Sequence, residues 1–482
     1  MRPVKRMMVV TLIAVPLAAA LWLGSMFYYG TRPAFPEAFS ISGWTAGGTG
    51  YAEFETNWNK QLDRLKQRKI ELISNKPEIP SQSLTLEQLG LRIDDSAVRQ
   101  NFNDLTEGST LTRARNRWRL RSHKTAVHLS VDLRLLEAKV RAVWHTLYAD
   151  QPVPAKRIIT PWDEIRYEPE QTVLSINESR LKASIEQILQ QPDVLAQAEP
   201  AGIELPFYQK APDVTLRLLR DQRIDRLLTQ FTTAITSSSA GRKHNVRSTA
   251  STLHDVILKP GEIFDYAPII EQTGKKFGFR EAPVILNGKL TPGVGGGICQ
   301  VSTTLYNAVL RAGLEIVERK NHSLPISYAP MGQDATFSTG YINFRFRNDT
   351  NAHLLIRTEM TETALTVKLF GSIPRDTTYE IESTTVETLS PPVKYVHNPA
   401  LQTGQQIVLS PGKQGFIVDT FRIKKQNGNV VSRERISRDR YSPQNKVVAA
   451  NTGKLKVPAK QPPPQNNVIE DGVTGSWSQT SP

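Results

Sequence analysis

The sequence predicts an α+β protein of several domains behind an N-terminal apolar helix. Three observations predict it. The chain has 482 residues, enough for two or three domains. Its 39% hydrophobic and 22% charged content is that of an ordinary globular protein. Segments with helical spacing of apolar residues and segments with strand-like alternation both occur along it, so neither type of element dominates.

The first element is apolar. After Arg2, Lys5 and Arg6 come 23 uncharged residues, "MMVVTLIAVPLAAALWLGSMFYY", residues 7–29. At about 1.5 Å per helical residue this run crosses a hydrocarbon core. The basic residues ahead of it place the N-terminus in the cytoplasm and the remainder beyond the membrane. A cleaved signal peptide is the alternative, with cleavage near Ala18, Ala19 and Ala20. The apolar run, however, continues through Trp22, Leu23 and Phe27. Residues 1–30 are therefore expected as an uncleaved single-pass transmembrane anchor, Pro16 being tolerated inside it. The formal charge of +14 then does not point to nucleic acid. It suits anionic wall or membrane-surface polymers, or a simply solvated basic surface. One cysteine, Cys299, leaves no internal disulfide and invites three readings: intermolecular pairing, a buried inert thiol, or a reactive one.

Residues 31–80 read as tether and helix. Pro33, Pro36 and "GGTG" mark the tether, and Phe54, Trp58, Leu62, Leu65 and Ile70 lie at helical spacing. Residues 81–212 read as an α/β domain built on a weak repeat. "LSVDLRLLEAKVRAV" and "LSINESRLKASIEQI" match at an offset of 45, each a short strand, an N-cap at Asp132 or Asn177, and a helix. Inside it "RARNRWRLR" spaces arginines at 113, 115, 117, 119 and 121, which on a strand would share one face. That face is either an anion-binding strip or, more in keeping with charge runs, solvated. Helices are expected over 216–235 and 245–258, the latter stopped by Pro260-Gly261. Residues 213–373 form the next domain and 374–453 a small β domain, with "NGN" at 427–429 as a hairpin turn. The tail, 454–482, is Pro-rich and nearly devoid of large apolar residues, and is expected to be disordered.

The chemistry concentrates at "TPGVGGGICQVSTTLYNAVLRAGLE", residues 291–315. Ile298, Val301, Leu305, Ala308, Val309 and Ala312 share a helical face, and Gly313 suits the C-terminal cap. Cys299 then falls in the first turn, where free N–H groups and the helix dipole favour a thiolate. Gly295, Gly296 and Gly297 let the backbone approach a substrate, and their N–H groups with that of Cys299 suit an oxyanion hole. His322, 23 residues on, is the candidate base, and Asp334 the group that orients it. Ser302, Thr303 and Thr304 are rival nucleophiles without a local sign of activation. His244, His254 and His353 are rival bases better read as structural. A buried, merely structural Cys299 stays open beside the catalytic reading. No His, Cys, Asp and Glu cluster has metal-ligand spacing, so neither metal nor other cofactor is expected.

Residues 242–371, with "PGVGGGICQVSTTLYNA" at their centre, resemble the VanW-like family. Residues 81–212 are similar to the peptidoglycan-binding domain that often precedes it, and the C-terminal β region more faintly to a G5 module. The resemblance implies a cell-envelope protein acting on peptidoglycan glycan and stem peptides. It implies an L,D-transpeptidase forming 3-3 cross-links, with Cys299 as nucleophile within a Gly–Cys–Gln core that adds Gln300 to the substrate-binding residues. Non-catalytic wall binding in glycopeptide resistance, and a thiol-dependent peptidase or amidase, are the alternatives. Two positions depart from the family pattern: Asp265, where related sequences more often have Ser, and Asn343, where they often have Asp.

Overall fold

A computed structural model describes residues 3–196, 201–235, 238–286, 288–451 and 468–473, with side chains described from residue 15 onward. Two units share these residues. The first comprises 1–154 and 170–213, and the second 155–169 and 214–482.

The first unit begins with the helix Pro3–Thr31, which contains the expected anchor. The side chains of residues 7–14 of that run lie outside the described residues. Among the described residues no helix is long and apolar enough to cross a membrane. The expected tether is not one. Phe35, Phe39 and Ile41 are buried in the same core as Phe54 and Trp58, because aromatic side chains there gain more from burial than a linker would from freedom. The helical spacing expected to continue through Ile70 ends with the helix at Gln67, and Lys69–Ile73 is a strand whose alternate residues Ile70 and Leu72 are buried. The repeat is present. The strand His128–Val131 and helix Leu133–Val143 correspond to the strand Val173–Ile176 and helix Glu178–Leu189. Asp132 accepts from the amides of Arg134 and Leu135, and Asn177 from that of Arg180.

The arginine strip is a helix, Thr110–Arg119, capped by Ser109. Successive residues of a helix turn by about 100°, so its arginines cannot all share one face, Arg115 lying on the side opposite Arg113 and Arg117. Arg117 is instead buried, donating to the carbonyls of Arg32 and Ala34 and to the Tyr51 hydroxyl.

In the second unit the helix expected over 216–235 stops at Asp221. Arg223 takes a left-handed φ of 54°, and Arg226–Ala234 is a strand. Its three threonines and alternating pattern favour the pleat over a helix. The hairpin Lys156–Ile159 and Ile165–Glu168, expected in the preceding domain, belongs here, with Ile159 and Ile165 packed on Ile224, Leu355 and Phe370. A four-stranded antiparallel sheet runs in the order Arg226–Ala234, Ala364–Gly371, Leu354–Met360, Val256–Leu258. Against it lies the helix Ile298–Ala312, every residue of which except Arg311 is buried. Ser302 donates to Ala335 O, Thr304 to Gln300 O, and Asn307 to the carbonyls of Thr303 and Gln333. These bonds let polar side chains sit in an apolar core.

The two departures from the family pattern face each other. Asn343 Nδ2 donates to Asp265 Oδ1 at 2.8 Å, and the same carboxylate caps the helix Tyr266–Phe277 through the Ala267 amide.

The C-terminal β region has two three-stranded sheets. One is Thr377–Leu389, Gly415–Gln426 and Asn429–Tyr441; the other is Val393–His397, Lys446–Ala450 and Gln406–Ser410. Asn427 and Gly428 both have positive φ, 50° and 81°, as a two-residue turn of the right twist requires. The tail departs from expectation. Residues 468–473 are ordered: Ile469–Glu470 adds as an antiparallel strand to Glu281–Leu286, and Val473 joins the core around the Ile298–Ala312 helix. The remainder of the expected disordered tail lies outside the described residues.

Candidate functional site

Three glycines bring the chain into the central helix, and each answers a different constraint. Gly295 and Gly297 have φ of 91° and 114°, and a Cβ on Gly296 would come within 2.5 Å of the Pro283 carbonyl. Gly297 caps the helix and Cys299 follows in its first turn, as the sequence predicts.

The free amides of that turn converge on a carboxylate. Gly297 N and Cys299 N both donate to Asp471 Oδ1, at 3.0 and 2.8 Å. Asp471 Oδ2 accepts from Arg242 Nη1 at 2.8 Å, and Arg242 Nη2 donates to Gln300 Oε1 at 3.1 Å. Gln300 in turn donates to Thr233 Oγ1 and Ala234 O, so it orients the arginine. Burial works against the Arg242 charge, and the Asp471 carboxylate outweighs it, raising the guanidinium further. Of the amides expected to form an oxyanion hole, Gly295 N is turned away to Arg280 O at 3.1 Å.

Cys299 itself is fully enclosed. Its Sγ accepts from Phe337 N at 3.0 Å and lies 3.4 Å from Phe337 O. The expected low thiol pKa is overturned. Burial, and after it the charge of Asp471, push the thiol well above its ordinary value despite the helix dipole.

His322 and Asp334 are brought together as expected, both wholly buried. Asp334 Oδ2 accepts from the backbone N and from Nδ1 of His322, each at 2.7 Å. Its Oδ1 accepts from the Tyr441 hydroxyl and from Arg319 Nη2. Arg319 is held in place by two bonds to Asp439, at 2.6 and 2.7 Å. Burial would raise Asp334, but the His322 hydrogen bond and charge, with Arg319, hold it below the usual carboxylate range. Burial would lower His322, but the Asp334 hydrogen bond and charge hold it above its ordinary value. Because a carboxylate only accepts, Nδ1 carries the proton. Nε2 has no partner among the described residues.

His322 lines a cavity of about 850 Å³ with Arg242, Gln300, Tyr328 and Asp471, and with Phe416 and Ser442 of the β region. Cys299 does not line it and shares no hydrogen bond with His322. The rival residues are engaged elsewhere. Ser302 and Thr303 bond to Ala335, His244 to Gly278 O, and His254 to Thr358. Among the described residues no group of three or more His, Cys, Asp or Glu could hold a metal ion.

Sequence reasoning missed Arg242, Asp471, Arg319 and Tyr441. Asp471 sits in a tail without local pattern, 172 residues from the amide it binds.

Residues 241–370 match the family described as VanW like protein, and residues 380–453 match the G5 domain. The chain is 39% identical over 173 residues to the uncharacterized protein YoaR of Bacillus subtilis, covering 36% of this chain and 57% of that one. It is 30% identical over 148 residues to the vancomycin B-type resistance protein VanW of Enterococcus faecalis, covering 30% of this chain and 54% of that one. The chain thus spans about half the length of these curated relatives. A solved G5 domain of IgA1 protease is 29% identical, covering 16% of this chain and 92% of its own, with a TM-score of 0.14. Within the chain, a region similar to the VanW-like proteins at 241–370 is followed by one similar to the G5 domain at 380–453.

Proposed function

We propose that this protein binds peptidoglycan at the cell envelope and acts on its stem peptides as a cysteine-dependent L,D-transpeptidase. The observation that carries the reading is the His322–Asp334 pair, whose unpartnered Nε2 borders the cavity beside the helix turn that bears Cys299. Similarity to a vancomycin B-type resistance protein supports a role in glycopeptide resistance, and the VanW-like and G5 matches support binding to wall polymers. Residues 1–30 serve as the single-pass anchor, with the bulk of the chain beyond the membrane.

In the reaction, Cys299 Sγ attacks the carbonyl carbon of the L-centre preceding the terminal D-alanine of a stem tetrapeptide. His322 takes the thiol proton and delivers it to the departing D-alanine amine as the C–N bond breaks. A thioester remains. The side-chain amine of a second stem attacks it, forming the 3-3 cross-link; the amine's proton returns through His322 to the thiolate. The raised basicity of His322 suits the proton delivery. The Gly297 and Cys299 amides, which now donate to Asp471 Oδ1, take the developing oxyanion once that carboxylate leaves them.

A second reading, wall binding without catalysis, is favoured by the enclosure of Sγ against Phe337. Incubation of the protein with purified disaccharide-tetrapeptide, followed by mass spectrometry, separates the two. Cross-linked dimer with release of D-alanine, absent in Cys299→Ala, is the expected result. D-alanine release without dimer means water is the acceptor, a peptidase. No product from wild type with wall binding intact leaves the binding reading alone.

A further inference from the structure

The segment 468–473 lies in the site in a way that describes a ligand. Its backbone adds to an open strand edge, Glu470 opposite Ile285 and Ile469 opposite Leu286, and Val473 N donates to Val294 O at 3.0 Å. Asp471 departs from the strand in a left-handed conformation, φ 59°, which non-glycine residues adopt at a cost. That turn delivers its carboxylate onto two helix-turn amides and Arg242. Glu470 is held separately, its Oε2 accepting from Ser323 N and Oγ at 2.9 and 3.0 Å. The segment therefore uses the two devices by which proteins read acidic peptides: strand addition for the backbone and a pre-set cationic amide cradle for a carboxylate.

An independent observation makes the same cavity a receptor rather than a filled core. His322 is wholly buried, and its Nε2 has no partner among the described residues, although Asp471 and Arg242 line the same cavity. A buried imidazole nitrogen left unbonded inside a polar cavity implies a group that arrives from outside. The occupying segment also packs against the glycine turn that leads into the helix bearing the thiol. Val473 packs where a Cβ on Gly295 would be, 3.1 Å from its side chain, and shares the core cluster of Cys299.

We propose that this groove is a binding site for an extended peptide bearing a carboxylate, and that residues 468–473 occupy it in cis until such a peptide displaces them. The carboxylate of the incoming peptide takes the place of Asp471 on Gly297 N, Cys299 N and Arg242, and its backbone takes the strand edge at Ile285. Displacement uncovers the turn that carries Cys299. The inference rests on the reading of this cavity as the site of action, and it gives the site its own inhibitor.

The test needs no turnover, so its failure and that of the transpeptidase are separable. Wild type, Asp471→Asn and a chain ending at residue 467 are compared by native alkylation of Cys299. Binding of a fluorescein-labelled hexapeptide, residues 468–473, is measured beside its Asp471→Asn counterpart. The expected result is labelling faster by at least about tenfold in both altered chains, the effect of one pKa unit on thiolate population. The shortened chain binds the acidic hexapeptide and not the amide, and the bound peptide protects Cys299 again. A shortened chain that melts cooperatively yet binds neither peptide overturns the proposal. Asp471→Asn protein labelled as slowly as wild type overturns it too. Should the shortened chain not fold, Asp471→Asn decides alone, since an amide of the same shape preserves packing while losing the charge. Acidic-hexapeptide binding without any cross-linking activity would retain this inference and remove only the reaction.

Discussion

Asp334→Ala is the perturbation whose consequence follows most directly from the structure. The carboxylate accepts four hydrogen bonds, from His322 N and Nδ1, Arg319 Nη2 and the Tyr441 hydroxyl, and is fully buried. Truncation leaves the His322 amide, its imidazole and the Tyr441 hydroxyl in a dry interior without an acceptor. Each orphaned buried donor costs about 1–3 kcal/mol, and breaking a buried charged pair by removing one side costs about 3–5 kcal/mol. Arg319 keeps both bonds to Asp439, which limits its share. The expected loss is therefore about 4 kcal/mol in the second unit. Asp334→Asn keeps one acceptor oxygen at the same place, and should lose about half as much. The assay is supplied by the protein itself. Cys299 is the only thiol and is enclosed in the same core, so its alkylation through a urea series reports opening of that unit. Fluorescence of Trp58 and Trp144, buried in the first unit, is the internal control. A loss below about 1 kcal/mol for Asp334→Ala would show that water or a rearranged donor replaces the carboxylate. The carboxylate would then not be what holds His322 in place.

Three further outcomes are expected. The stability of the second unit should depend on pH through this pair with opposite signs. His322, raised above 6.5, contributes stability fully present below that value and lost as pH rises through its folded pKa. Asp334, lowered below 3.8, contributes stability present above that value and lost as pH falls through its folded pKa. Urea midpoints of wild type should thus decline on the alkaline side of pH 6.5, and those of His322→Gln should not; equal slopes would refute the assignment. Native alkylation of Cys299 should show a midpoint above the ordinary cysteine value of 9.0, and a midpoint below it would mean the thiol is not enclosed as described. Gly297→Ala should destabilise by about 1–3 kcal/mol, since φ is 114° and the new Cβ meets Arg242 Cγ and Val246 Cγ2 at 3.0 Å. A melting temperature unchanged from wild type would count against the strained cap.

Local sequence determined a good deal about this protein. The central helix, its glycine entry, its Gly313 cap and the place of Cys299 in its first turn follow from periodicity and glycine alone. So do the repeated strand–cap–helix pairs at Asp132 and Asn177 and the turn at Asn427-Gly428. These are short-range features, in which a residue and its neighbours within a turn or two fix the geometry. The pairing of His322 with Asp334 was also legible as a set of residue types, and the two do meet, while Cys299 Sγ is bonded to Phe337 instead.

Tertiary structure decided the rest. The arginine run forms a helix because Ser109 caps it and Arg117 finds buried carbonyls across the first unit, neither visible as a two-residue period. The segment 226–234 is a strand because it pairs with Ala364–Gly371, more than a hundred residues on. Above all, the state of Cys299 is set by its burial, and after that by a partner the local pattern does not indicate. A helix N-terminus by itself lowers a thiol pKa. Here the chain's own Asp471 sits on that N-terminus, burial encloses the sulfur, and the same turn that should have made a thiolate holds a protonated thiol instead.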